Sequence, residues 1–181
     1  MKTTLLVILC LLVIAGATMV MPVMSDGTSN ITGNPTSVLD LRVTGNISGW
    51  VLIVGTNTRS GDADLKLNVS STSTTWNVRA DDLDGSKPVS TKGHMADWNG
   101  TGYDPAAANL TTPMTIIGES VGGVTGTAGV LDTGGIIETG SSAVDNQIMH
   151  PVISQPVLYT DTSLTGTHVY RIVVTFTGSP T

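Results

Sequence analysis

Ala63-Asp64-Leu65-Lys66-Leu67-Asn68-Val69 is the stretch on which the fold turns. Leucine and valine alternate here with a charge and an amide, and a period of two marks a strand with one face in a core. Leu65, Leu67 and Val69 are expected inward, Lys66 and Asn68 outward. Trp76-Asn77-Val78-Arg79-Ala80 repeats the pattern, with Trp76, Val78 and Ala80 on the apolar face. A Ser/Thr segment separates the two runs, which predicts a hairpin or a pair that crosses between sheets.

Upstream, residues 38–43 alternate through Leu39, Leu41 and Val43. Gly49 opens Trp50-Val51-Leu52-Ile53-Val54, a run apolar on both faces that predicts a central, covered strand. Residues 55–62 read as a turn. Downstream, residues 81–112 lose the rhythm and hold Asp81, Asp82, Asp84, Gly85, Pro88, Gly93, Gly100, Gly102 and Pro105. They predict one long excursion loop, with a helical turn at 105–108; loops of that length in compact domains are functional or mobile.

Strands resume at 114–117, at the Gly/Thr-rich and bulged stretch 121–131, and at 136–138. Residues 148–159 contain Pro151 and Pro156, which remove ladder donors and predict an edge or broken strand. Residues 168–176 (HVYRIVVTF) carry the strongest strand signal and predict an interior strand. About eight or nine short strands with turn-rich connections indicate an all-β domain, an antiparallel β-sandwich of the Ig-like, Greek-key type.

The N-terminus sets an address. Lys2 precedes an apolar run over residues 5–17 that ends in Ala15-Gly16-Ala17. One positive charge, a short apolar core and a small-x-small exit describe a secretory signal peptide, here residues 1–17. Residues 18–36 then form a flexible leader, and residues 37–181 the sandwich. Left uncleaved, the uncharged stretch to residue 24 is long enough to anchor the chain in a bilayer. Cys10 is no lipoprotein site, because Leu9 stands where processing wants a small residue. The expected location is secreted or cell-surface, and membrane contact is expected only through an uncleaved N-terminal segment.

Composition agrees with this. Only 12% of residues are charged and 4% aromatic, against 21 glycines and many Thr and Ser, so strands are favoured over helices. The formal net charge is −6, and −7 once Lys2 leaves with the signal. Arg42, Arg59, Lys66, Arg79, Lys87, Lys92 and Arg171 are scattered, which argues against a nucleic-acid partner. Cys10, the single cysteine, lies in the signal, so the domain must hold by core burial and sheet hydrogen bonds. That economy is common among prokaryotic exported proteins.

Chemistry-bearing residues are sparse. Sequons begin at Asn30, Asn46, Asn68, Asn99 and Asn109, candidate glycosylation sites in an exported chain. Asp82-x-Asp84-Gly85 has part of a calcium loop, without the glutamate that completes an EF-hand. A solvated acidic turn is the plainer reading, and no other cofactor is expected. His94, His150 and His168 lack zinc-ligand spacing, and no Gly-x-Ser-x-Gly elbow exists. Catalysis is not expected. Trp98 lies in the loop near His94, Asp97 and Tyr103. An aromatic ring beside amides and carboxylates is a sugar-stacking surface; the alternative is that Trp98 plugs the loop onto the domain.

Gly49-Trp50-Val51-Leu52 resembles the first Trp-x-Leu motif of the WxL-type cell-surface domains. The last strand, Tyr170 through Thr177, is similar to that family's second motif, with Phe176 where a tryptophan stands. Gly93-His94-Met95 and the Trp-bearing strands also resemble single-domain exported β-rich proteins of archaeal envelopes. The resemblance implies a cell-surface β-domain. The expected function is therefore a non-catalytic structural or adhesion module. It would bind envelope polysaccharide or surface proteins, or associate with itself. The alternatives are a carbohydrate-binding module and a filament subunit donating residues 18–36 to a neighbour's sheet edge.

Overall fold

The computed structural model describes residues 32–33, 35–60, 64–104, 108–119 and 125–181, with side chains left undescribed at 119 and 125–130. The expected signal peptide, most of the leader, most of the helical turn at 105–108 and the sequon asparagine Asn30 lie outside the described residues. Residues 35–181 form one compact unit. They are all-β, in several antiparallel sheets, with no α-helix among the described residues. No helix among them is long and apolar enough to cross a membrane.

Among the described residues there are twelve strands, numbered in chain order. A three-stranded sheet orders β1 (Leu39–Gly45), β3 (Leu65–Ser71) and β9 (Val144–Met149). A four-stranded sheet orders β2 (Gly55–Ser60), β10 (Val152–Val157), β6 (Thr115–Glu119) and β7 (Thr125–Val130). A second three-stranded sheet orders β12 (Thr175–Pro180), β4 (Trp76–Asp81) and β8 (Gly135–Gly140). β11 (Val169–Arg171) and β5 (Ala96–Trp98) make a two-stranded ribbon.

The two alternating runs behave as their period dictates. Leu65, Leu67 and Val69 are buried, as are Trp76, Val78 and Ala80, and all join one core with Leu110, Met114, Ile116, Leu131, Ile137 and Met149. β3 and β4 belong to different sheets, so the Ser/Thr segment between them is a crossing and not a hairpin.

Three expectations are corrected. Residues 50–53 are not in a strand. Trp50 and Leu52 pack on the core, but Val51 is 80% exposed and Ile53 68%. The strand is the polar stretch after it, β2, read above as a turn. The buried Asn57 explains the exchange. Its Oδ1 accepts the Ile53 N–H at 2.9 Å, and its Nδ2 donates to Ile53 O at 2.7 Å and Gln155 O at 3.1 Å. One amide side chain thus takes the ladder place that residues 50–54 leave empty.

Second, β10 is an interior strand of its sheet. It tolerates Pro156 because β6 pairs only with Val152, Ile153 and Ser154, which leaves Pro156 paired with β2 alone. Third, residues 168–176 do not make one interior strand. They break at 172–174 into β11 and the start of β12, and β12 lies at the edge of its sheet.

The excursion at 81–112 is built, not loose. It holds a 3-10 turn (Val89–Thr91) and β5, and it buries Asp82, Lys87, Thr91, Met95, Ala96, Asp97 and Leu110. Gly93 locks it to the body. Its φ is +79°, and a Cβ there would sit 2.2 Å from the Asp132 backbone nitrogen, so only glycine fits.

Candidate functional site

The β5–β11 ribbon carries most of the polar and aromatic groups of interest. Val169, Tyr170 and Arg171 pair with Trp98, Asp97 and Ala96. That register brings residues about 70 positions apart into one surface. The Arg171 guanidinium lies over the Trp98 ring, 4.0 Å from its centroid, and Tyr103 meets the same ring edge-on at 5.1 Å. The Tyr103 hydroxyl donates to Asp84 Oδ2 at 3.0 Å. Burial, then the hydrogen bond to Asp84, push the Tyr103 phenol well above its ordinary range. The Ser86 hydroxyl, aided by the Ser86 N–H and Tyr103, holds the Asp84 carboxyl below its own.

Asp97 is buried, and its Oδ1 lies 2.7 Å from His168 Nδ1. The carboxylate orients the imidazole through Nδ1 and leaves the Nε2 side of the ring turned away from it. Of the sequence-predicted ligand set, the structure therefore joins Trp98 to Tyr103 and places Asp97 in the same ribbon. His94 is engaged elsewhere, with its Nδ1 2.7 Å from Leu110 O.

Beside the ribbon runs a groove of about 420 Å³ lined by Trp50, Tyr159, Asp161, Ser163, His168 and Tyr170, among others. Tyr159 is 92% exposed. The Tyr170 hydroxyl donates to Thr162 O at 2.6 Å; burial, then Asp161 and Asp97, raise its phenol. Asp161 shapes the floor by accepting from Thr111 N at 2.8 Å, Thr111 Oγ1 at 2.6 Å and Leu158 N at 2.7 Å. Aromatic faces beside hydroxyls, a carboxylate and an imidazole suit a ligand that offers C–H faces and hydroxyl groups together.

Asp82 and Asp84, the candidate calcium pair, have protein partners. Lys87 Nζ sits 2.6 Å from Asp82 Oδ2, so an ammonium already stands beside that carboxylate. Among the described residues no group of three or more His, Cys, Asp or Glu is placed to share a metal ion. Of the described sequons, Asn46 and Asn99 are exposed, while Asn68 in β3 and Asn109 are half-buried.

Sequence reading missed His168, Arg171, Tyr159, Asp161 and Tyr170. For Tyr159 a signal existed: an aromatic residue in a polar turn (Tyr159-Thr160-Asp161-Thr162) just after a strand. For His168 and Arg171 none did, because their partners lie far away along the chain.

Compared with known protein families, curated proteins and solved structures, the chain matches none.

Proposed function

We propose that this chain is an exported, non-catalytic surface domain, a two-layer antiparallel β-sandwich of Greek-key type, that holds an envelope polysaccharide in the groove beside the β5–β11 ribbon. The observation that carries the reading is Tyr159. Tyr159, 92% exposed, lines the groove with Trp50, Tyr170 and Ser163, so its ring is free to meet a ligand there. A pyranose stacked on it gains apolar contact while its hydroxyls meet Ser163, Thr162 and His168. The Trp-x-Leu resemblance supports the same reading, because Trp50 and Leu52 both line this groove.

The test is retention of the purified protein by insoluble envelope polysaccharide, with Tyr159→Ala as the variant. Retention should fall by about tenfold or more while the melting temperature stays put. Equal retention of the two proteins, or none by the wild type, refutes the assignment.

A second reading, self-association, rests on a separate observation. β2 pairs with β10 alone in its sheet, and the exposed Val51, Ile53 and Val54 precede it. Apolar side chains beside an open edge suit an added strand, and the leader at 18–36 of another copy is the expected donor. Sedimentation velocity with and without residues 18–36 separates this from the first reading: a monomer in both cases removes it.

A further inference from the structure

We infer that Lys87 and Asp82 condense to a side-chain amide, a covalent crosslink buried in the 81–112 excursion. The inference stands apart from the groove. It rests on a lysine and an aspartate held in contact, 2.6 Å from Nζ to Oδ2, with only 2% and 1% of their side chains exposed.

Burying two opposite charges strips both of hydration that their mutual attraction often fails to recover in full. An amide at the same place removes both charges. Contact at fixed orientation replaces a bimolecular encounter, and exclusion of water favours condensation over hydrolysis.

The surrounding hydrogen bonds place each atom of the step. Gly93 N–H donates to Asp82 Oδ2 at 2.7 Å and fixes the carboxylate, and Lys87 Nζ also donates to the His94 carbonyl. One ammonium proton passes to Oδ2. The freed lone pair attacks Cγ, and charge moves onto Oδ1, which has the Asp84 N–H 3.5 Å away. The C=O then re-forms. Oδ2 departs as water, carrying the first proton and a second one from the nitrogen. The third hydrogen stays on the new amide nitrogen, on the His94 carbonyl where it began. One C–N bond forms, one C–O bond breaks, one water leaves, and no co-reactant is needed.

A tryptic map of the purified full chain tests this. Trypsin cuts after Arg79 and Lys92 but not at Lys87-Pro88, so residues 80–92 leave as one peptide. That peptide should be lighter by one water and should give no backbone fragments between residues 82 and 87. Lys87→Arg should restore the full mass. A wild-type peptide of full mass overturns the inference, and decides the matter even if the variant does not fold. Water loss that persists in Lys87→Arg overturns it too, because it then belongs to Asp84-Gly85, where an aspartate can cyclise on the next backbone nitrogen.

Discussion

Trp76 lies across the β4–β8 ladder from Gly140, and its indole fills the space that a side chain on Gly140 would need. A Cβ built on Gly140 falls 2.0 Å from Trp76 Cε2. The indole Nε1–H donates to Ser142 O at 2.9 Å, just past the end of β8, so the ring cannot swing aside without losing that bond. Gly140→Ala should therefore destabilise the domain by about 1–3 kcal/mol, the cost of overpacking a filled core. Urea unfolding followed by Trp fluorescence checks this, with a lower midpoint and an unchanged slope.

Glu138 gives the domain a pH dependence. It is 1% exposed, its Oε2 has no hydrogen-bond partner, and burial lifts its carboxyl to about 7 from 4.5. The folded state binds this proton more tightly than the unfolded one. Its contribution is complete below about pH 4.5, declines as the pH rises towards 7, and is gone above it. The total decline is about 3 kcal/mol, from the size of the shift. Glu138→Gln cannot ionise, so its stability profile should lack that decline. Parallel profiles for the two proteins between pH 4 and 8 would refute this.

Asp161 acts with the opposite sign. Burial raises its carboxyl, but the bonds from Thr111 and Leu158 outweigh burial and leave it below its ordinary value. Its contribution is present above the unfolded value of 3.8 and fades as the pH falls through the lower folded one. Asp161→Ala removes the acceptor that ties residue 111 to the turn at 158–161. A loss of about 1–2 kcal/mol at neutral pH is expected, with faster amide exchange at Thr111 and Leu158.

The Arg171 stack should be visible in fluorescence. Arg171→Ala uncovers the Trp98 ring and removes a cation–π contact, for about 1 kcal/mol or less of stability and a red-shifted emission component. Arg171→Lys should restore only part of the shift, since an ammonium lacks the plane that stacks.

The fold was legible where side chains did the work, and illegible where single polar groups did. Alternation placed β3 and β4 correctly, because core burial sets their register. Hydropathy misassigned 50–54 because the organising residue there is Asn57, whose amide closes bonds to Ile53 and Gln155 that no periodicity records. The same holds for the excursion. Its order comes from Asp82 with Lys87, His94 with Leu110 and Asp97 with His168, and apolar pattern is blind to all three. Of the candidate site, Trp98, Tyr103 and Asp97 were visible as a local cluster in the sequence. The groove was not, because residues 50–54, the end of β10 with the turn after it, and β11 bring its walls together from distant parts of the chain.

Both β4 and β5 pair with the tail of the chain, β12 and β11. Without residues 168–180 the β4 edge would be bare, and Trp98 would have neither its arginine nor its ladder. Both closures join residues about 70 to 100 positions apart, so folding waits on long-range pairing, and a domain dominated by such pairing folds slowly.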